Sequence, residues 1–280
     1  MFKNYFLITR PFQWVKNIII FIPLLFAKKI FELDAFVLSS IAFISFTLAS
    51  SIVYIFNDIC DLKQDKKHPI KKKTRPLANN NLKKKDAYLL IILLGLLLFI
   101  ILKFNNSILI ITLIFLTLNI FYSLYLKNII IIDVIIVSLC YIIRVLAGSI
   151  IINVELSAWL LICVFSTSLF LISFKRLAEI KISGFKSRPI LIKYNNEILL
   201  KIIDVSAICS IIFYSLYTVF VNSNLIYTVP LIFLGFFRYY YLYYTAKTFE
   251  ESPVKIIFSD KPILILLFFW LIIVLINTQI

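Results

Sequence analysis

Long apolar runs follow one another along this chain with only short polar interruptions, and that alternation leaves very few folds open to it. Runs such as Ala87–Leu102 and Ser107–Leu126 are long enough, with modest flanks, to cross a hydrocarbon core of roughly 30 Å. In lipid every backbone polar group must be satisfied internally, so such a chain crosses as a bundle of helices. Composition agrees: a soluble domain with 62% hydrophobic residues and a mean hydropathy of +1.00 would expose large adhesive patches.

The pattern predicts an all-α integral membrane protein, a single bundle of about nine transmembrane helices. They fall near residues 15–31, 36–56, 87–104, 107–126, 129–150, 157–174, 198–221, 226–245 and 261–277. Residues 1–280 read as one polytopic membrane domain with polar motif loops at about 57–86 and 175–197. The first run, Ile18–Ala27, ends in Lys28 and Lys29 without a small-residue cleavage pattern, so it reads as a span and not as a removable signal. Lysine and arginine crowd residues 57–86 and, further on, Lys175, Arg176, Lys181, Lys186, Arg188 and Lys193. The loops at 32–35, 103–106, 151–156 and 222–225 hold only Lys103. The positive-inside tendency therefore predicts a cytoplasmic N-terminus, cytoplasmic basic loops and a C-terminus outside. The net charge of +15 does not point to nucleic acid, because no basic domain stands apart from the spans.

Several chemistries are out of reach. Cys60, Cys140, Cys163 and Cys209 are far apart and form no CxxC pair, so neither a disulfide framework nor a zinc site is implied. With His68 as the only histidine, a Ser-His-Asp arrangement or a poly-histidine metal site cannot be built. Four glycines in all rule out a Gly-rich phosphate loop.

The most informative stretch is NDICDLKQDKKHPIKKKTRP at 57–76. Asp58, Asp61 and Asp65 are spaced i, i+3, i+7, so on a helix continuing from the second span they share one face, with Tyr54 a turn earlier and Asn57 beside them. Carboxylates stacked in this way repel unless a cation neutralises them, and Mg²⁺ suits the oxygen donors because it keeps waters and bridges to substrate phosphates. The following block, with Lys71 and Arg75, supplies cations for the same phosphates. The bland alternative is a solvated loop whose acids pair with neighbouring lysines. Ionisable groups abutting a membrane helix weigh against it.

Four other places carry polar groups. Lys175, Arg176 and Glu179, where the sixth span leaves the membrane, fall within i+3 and i+4 of one another and can grip a phosphate and a metal opposite Asp61, or serve as an anchor with an internal ion pair. Asp133 and Arg144 lie inside the fifth span on one face, roughly 16 Å apart along the axis, too far to pair. Asp133 is the better site candidate, whereas Arg144 is either a structural inter-helix bond or part of the site. At RPFQWVKN (10–17), Trp14 reads as an interfacial anchor and Arg10 as a topology signal, while Lys16 can reach into the bundle mouth. The same two readings hold for Lys127, which closes YSLYLK (122–127).

A cytoplasm-facing cavity with carboxylates and many cations suits a Mg²⁺-bound diphosphate leaving group reacting with a hydrophobic partner that enters from lipid, and no residue looks like a covalent nucleophile. Here the chain resembles a known group. NDICDLKQD at 57–65 looks like the first Asp-rich motif of the UbiA-type prenyltransferase superfamily. RPFQWVKN (10–17), DKKHPIK (65–71), RPLA (75–78), YSLYLK (122–127) and KRLAE (175–179) are similar to its decaprenyl-phosphate phosphoribosyltransferase branch, as are segments around Arg238 and Asp260.

The resemblance implies transfer of ribose 5-phosphate from phosphoribosyl diphosphate to a polyprenyl phosphate, with diphosphate released, Mg²⁺ as cofactor and a bacterial inner membrane as location. The branch departs from ordinary members at KRLAE, which stands where a second Asp pair is expected; cations there suit a substrate with an additional phosphate. By the resemblance Asn57, Asp58, Asp61 and Asp65 hold or surround Mg²⁺. Lys16, Lys71, Arg75, Lys127, Lys175 and Arg176 are then candidates for phosphate contacts and Glu179 for metal or ribose contacts, and Tyr122, Asp133 and Arg144 join them as candidates for the substrate site. The basic block itself departs from the branch: Lys72 stands where Arg is expected and an additional residue precedes Arg75, which leaves open whether Lys71, Lys72 or Lys73 points inward. Alternatives are joining a polyprenyl diphosphate to an aromatic acceptor in the same fold, and transport of a phosphorylated metabolite. A homo-oligomer is left open.

Overall fold

In the computed structural model, which describes residues 2–68, 70–183, 189–245 and 253–279, every regular element among the described residues is a helix. Helix α1 (Phe2–Ile8) leads into a 3-10 helix (Pro11–Phe21) that continues as α2 (Ile22–Phe26). Then come α3 (Leu33–Cys60), the short α4 (Leu62–Asp65) and α5 (Lys71–Thr74), and α6 (Lys84–Phe104), α7 (Leu109–Leu124), α8 (Ile132–Ile151) and α9 (Ala158–Ser183). The chain continues with α10 (Asn196–Phe220), α11 (Val229–Thr245), α12 (Pro253–Ser259) and α13 (Lys261–Gln279). Pro69 of the first basic block, and Lys186 and Arg188 of the second, lie outside the described residues.

Among the described residues, seven helices are long and apolar enough to cross a membrane: Leu33–Cys60, Lys84–Phe104, Asn106–Leu124, Ile132–Ile151, Ala158–Lys181, Asn196–Phe220 and Ser223–Thr245. The chain is a multi-pass membrane protein. The segments expected as the first and ninth spans form shorter apolar helices, Pro11–Phe26 and Lys261–Asn277. On α6, Leu89, Ile92, Leu93, Leu96 and Phe99 are exposed, the surface that lipid tails cover.

Small residues bring the central helices together. Along α3, Ala35, Ser39, Ala42, Phe46, Ala49 and Val53 are buried at alternating spacings of four and three, a seam narrow enough for close packing where lipid removes most of the hydrophobic drive. The 3-10 helix has three residues per turn, so Trp14, Asn17 and Ile20 stand along one edge. The Trp14 indole N–H donates to Ser51 Oγ at 3.1 Å and the Asn17 amide to Thr47 Oγ1 at 3.2 Å, both on α3. Trp14, expected as an interfacial anchor, therefore ties the 3-10 helix to α3. The third residue, Ile20, rests on α8: a Cβ added to Gly148 would come within 2.0 Å of the Ile20 carbonyl oxygen, so only glycine permits this approach.

A second core holds the end of α9 that carries the KRLAE motif. Phe174 packs 5.1 Å from Tyr239 and 4.7 Å from Tyr243 on α11, ring centre to ring centre. These rings fix the helix where Lys175, Arg176 and Glu179 emerge.

Candidate active site

The expected continuous helix through the acidic motif is interrupted. α3 ends at Cys60, Asp61 caps it with φ −87° and ψ 1°, and α4 restarts at Leu62. The turn lets Asp58 and Asp65 meet one guanidinium nitrogen: Arg75 Nη1 donates to Asp58 Oδ1 at 2.8 Å and also to Asp65 Oδ2. Arg10 donates to the same Asp58 oxygen. Asp61 pairs with Lys127 and accepts from the Asn57 amide at 3.0 Å. The three carboxylates are thus neutralised by the protein's own Arg10, Arg75 and Lys127. Arg10 is more than the topology signal its position implied.

Burial alone would lower the Arg10 pKa, but the Asp58 carboxylate more than reverses this and the net direction is upward. Burial dominates at the other end, lifting Asp65 against the pull of Arg75 and Lys71, and lowering Arg75, with the charge of Arg10 adding to the effect. Of the three lysines left open by the sequence, Lys71 is half-buried and close enough to act on Asp65, while Lys72 and Lys73 are exposed.

A second network stands on α8 and α9. Arg176 Nε donates to Asp133 Oδ2 at 2.7 Å, Nη1 to Glu179 Oε2 at 2.9 Å and Nη2 to the Tyr122 hydroxyl at 3.1 Å. Lys175 Nζ lies 3.8 Å from Glu179. Arg176 and Glu179 are 2% exposed and Asp133 0%, so each charge depends on its partner. The Tyr194 hydroxyl donates to Asp133 Oδ1 and accepts from the Ile131 N–H at 2.8 Å. Burial, then the bond to Asp133, holds that hydroxyl above the usual phenol value, so it remains the donor.

Between the networks lies a cavity, its wall including Lys16, Asn57, Tyr122, Arg144, Lys175 and Arg176 of the expected residues. Arg10, Tyr54, Asn119 and Tyr141 also line it. Asp58, Asp61, Asp65, Arg75, Lys127, Asp133 and Glu179 stand behind that wall, bonded to it or to one another, and Lys71 acts on Asp65 through its charge. Arg144 is both a structural bond and a wall residue: Nε donates to Asn17 Oδ1 at 2.7 Å and Nη1 to the Cys140 carbonyl at 2.7 Å. Asn17 and Tyr194 lie in stretches the sequence marked as motif, but only their partners, 127 and 61 residues away, reveal what they do. Across Leu171, which lines both spaces, an apolar groove is lined by Phe170, Leu231, Gly235, Phe236 and Trp270 among others.

The donor chemistry fits Mg²⁺ in its common form, one or two carboxylates with the remaining ligands from water and substrate phosphate. Asn57 lines the cavity and Asp61, which accepts from its amide, stands just behind it with hard carboxylate oxygens, and among the described residues no three acidic, His or Cys side chains converge into a cage that would hold a metal alone.

A helical membrane bundle with an Asp-rich turn opposite a basic helix end defines an intramembrane transferase, and the chain belongs to the UbiA prenyltransferase family, whose model matches residues 18–273. It is similar to decaprenyl-phosphate phosphoribosyltransferase of Mycobacterium tuberculosis, 29% identical over 216 residues, covering 74% of this chain and 71% of that one. The enzyme of the same description from Mycolicibacterium smegmatis is 30% identical over 217 residues, covering 75% and 68%. Among solved structures, a UbiA homolog from Archaeoglobus fulgidus bound to DMAPP and Mg²⁺ matches with a TM-score of 0.72 at 18% identity, over 99% of both chains, a likeness of fold.

Proposed function

We propose that this protein transfers ribose 5-phosphate from phosphoribosyl diphosphate to a polyprenyl phosphate, releasing diphosphate. One observation carries the reading: among the described residues, Arg10, Lys16, Arg144, Lys175 and Arg176 line the cavity and no Asp or Glu does. A donor with a diphosphate and a further phosphate, meeting an acceptor that is itself a phosphate, supplies the anions such a wall requires. Joining a prenyl diphosphate to a neutral ring would supply fewer. Transport is disfavoured because the charge gathers at one end of the bundle and not at a midplane site between repeats.

An acceptor phosphate oxygen attacks the anomeric carbon, the bond from that carbon to the diphosphate oxygen breaks, and the diphosphate departs with the bonding pair. The acceptor is already an anion, so no strong base is needed, in keeping with a cavity wall that has no histidine or carboxylate among the described residues. Lys175 and Arg176 hold the donor's phosphates, with Tyr122 and Asp133 fixing Arg176, while Lys127, Lys71 and Arg75 behind the wall balance the charge of the acidic turn. Asn57, Asp58, Asp61 and Asp65, with Glu179 opposite, are the residues that would hold Mg²⁺, which when bound would supply charge neutralisation to the departing diphosphate. The groove beyond Leu171 accommodates the polyprenyl chain.

We further infer that Pro11–Phe26 and Lys261–Asn277 complete nine crossings of a bacterial inner membrane, with the N-terminus and the site on the cytoplasmic side. Residues 1–280 act as one domain.

The test uses purified protein in detergent with Mg²⁺, a polyprenyl phosphate and phosphoribosyl diphosphate labelled in the ribose. Label is expected to move into the organic phase, and Asp61→Asn is expected to stop it. No transfer with several lipid phosphates, but turnover of a polyprenyl diphosphate with an aromatic acceptor, would overturn the reading.

A further inference from the structure

The cavity has two chemically different ends. Along α3, Asn57 lines the end next to the acidic motif, and Ser50 lines the other, seven residues or roughly 10 Å further in. At the inner end Arg144 is held from several sides. Asn17 and the Cys140 carbonyl accept at 2.7 Å each and Ser50 Oγ at 3.5 Å, and the guanidinium carbon lies 4.8 Å from the Phe115 ring centre and 5.5 Å from that of Tyr141. Those bonds leave two of the guanidinium's five N–H groups without a protein acceptor. Lys16, adjacent in sequence to Asn17, makes no hydrogen bond or ion pair among the described residues. Its charged neighbours are Lys175, Arg144, Arg10 and Arg176, all cations.

We infer that Lys16 and Arg144 form a separate seat for a phosphate monoester, one that needs no metal, while the Asp-rich end takes the diphosphate. A metal-borne diphosphate needs carboxylates around its cation, and the inner end has none. A dianionic monoester needs only the two cations and their free N–H groups, in a site where the two rings keep out water. Asn17 is the positioning residue: its carbonyl fixes the Arg144 plane, and its amide is itself fixed by Thr47 at 3.2 Å. The inference rests on the phosphoribosyl-transfer reading for its sources of monoester, the donor's 5-phosphate or the lipid acceptor's phosphate.

Isothermal titration of the purified protein in detergent and excess chelator distinguishes these, with ribose 5-phosphate as one probe and a short-chain polyprenyl phosphate as the other. Wild type is expected to bind at least one of them, and Arg144→Gln and Lys16→Met are each expected to weaken that binding by about tenfold or more. The probe whose affinity falls identifies the source. Lys16→Met removes a side chain with no hydrogen bond or ion pair among the described residues, so it keeps the test sound should Arg144→Gln fail to fold. Absence of metal-free binding in wild type, or binding that Lys16→Met leaves unchanged, overturns the seat. Failure of label transfer alongside intact, Lys16-dependent binding would instead bring down the reaction and leave the seat standing.

Discussion

Arg176 and Asp133 are 43 residues apart in sequence and 2.7 Å apart in space, a buried pair that joins α9 to the first turn of α8. The same guanidinium also serves Glu179 and Tyr122, so no other side chain can replace it without leaving a buried acid uncompensated.

Arg176→Gln is therefore expected to destabilise the protein by about 3–5 kcal/mol, the usual consequence of removing one partner of a buried ion pair. Arg176→Lys, which keeps the charge but loses the fork, should fall between the two in melting temperature and still lose transfer activity. Thermal unfolding in detergent checks the order, and a Gln variant that melts with wild type would refute it.

Gly148 makes a second structural prediction. An alanine there would push its Cβ to 2.0 Å from the Ile20 carbonyl oxygen, displacing the 3-10 helix that carries Lys16 and Asn17. Gly148→Ala should cost about 1–3 kcal/mol and lower activity as well. Gly95→Ala on α6, where nothing lies within 4 Å, is the control and should gain about 0.5–1 kcal/mol from helix propensity. Equal melting temperatures for the two variants would remove the close approach from the account.

The spans were legible because an apolar run of membrane length admits little but a helix, and the acidic motif because its spacing gathers carboxylates wherever a helix carries it. What partners those carboxylates was not legible. Arg10 reaches Asp58 across 48 residues and Lys127 reaches Asp61 across 66, and such pairings depend on which helices become neighbours. The break at Asp61 was equally hidden, since no Gly or Pro marks it; the turn is tied down by the shared bond of Asp58 and Asp65 to Arg75.

Metal dependence should follow from the oxygen donors. Chelator is expected to abolish label transfer and Mg²⁺ or Mn²⁺ to restore it, while Asn57→Ala should raise the Mg²⁺ needed for half-maximal rate by roughly tenfold or more. A full rate in chelator would show that the acidic turn serves only to hold Arg10, Arg75 and Lys127.

Asp260 offers a pH test away from the site. Its Oδ2 accepts from Arg238 at 2.9 Å and its Oδ1 from the Ile263 N–H at 3.0 Å, capping α13. The Arg238 bond holds its carboxyl below the ordinary value, against partial burial. A depressed folded-state pKa means that the stabilisation is present above the unfolded value of about 3.9 and is lost as pH falls through the folded one. Wild type should melt above Asp260→Asn at neutral pH, modestly because Arg238 is partly exposed to solvent, with the gap closing in acid. A gap that persists at low pH would assign the effect to capping geometry instead of charge.

The groove beside Leu171 bears on the lipid. Gly235 lines it, and a Cβ there meets nothing within 4 Å, so a larger side chain can occupy the groove without forcing the helices apart. If the polyprenyl chain lies there, Gly235→Leu should raise KM for a long-chain polyprenyl phosphate and leave KM for a short-chain one, and for phosphoribosyl diphosphate, near the wild-type values. The short chain serves as the control because it places the same phosphate in the cavity without reaching past Leu171. Equal effects on both lipids would point to a disturbed α11, and no effect on either would take the groove out of the chain's path.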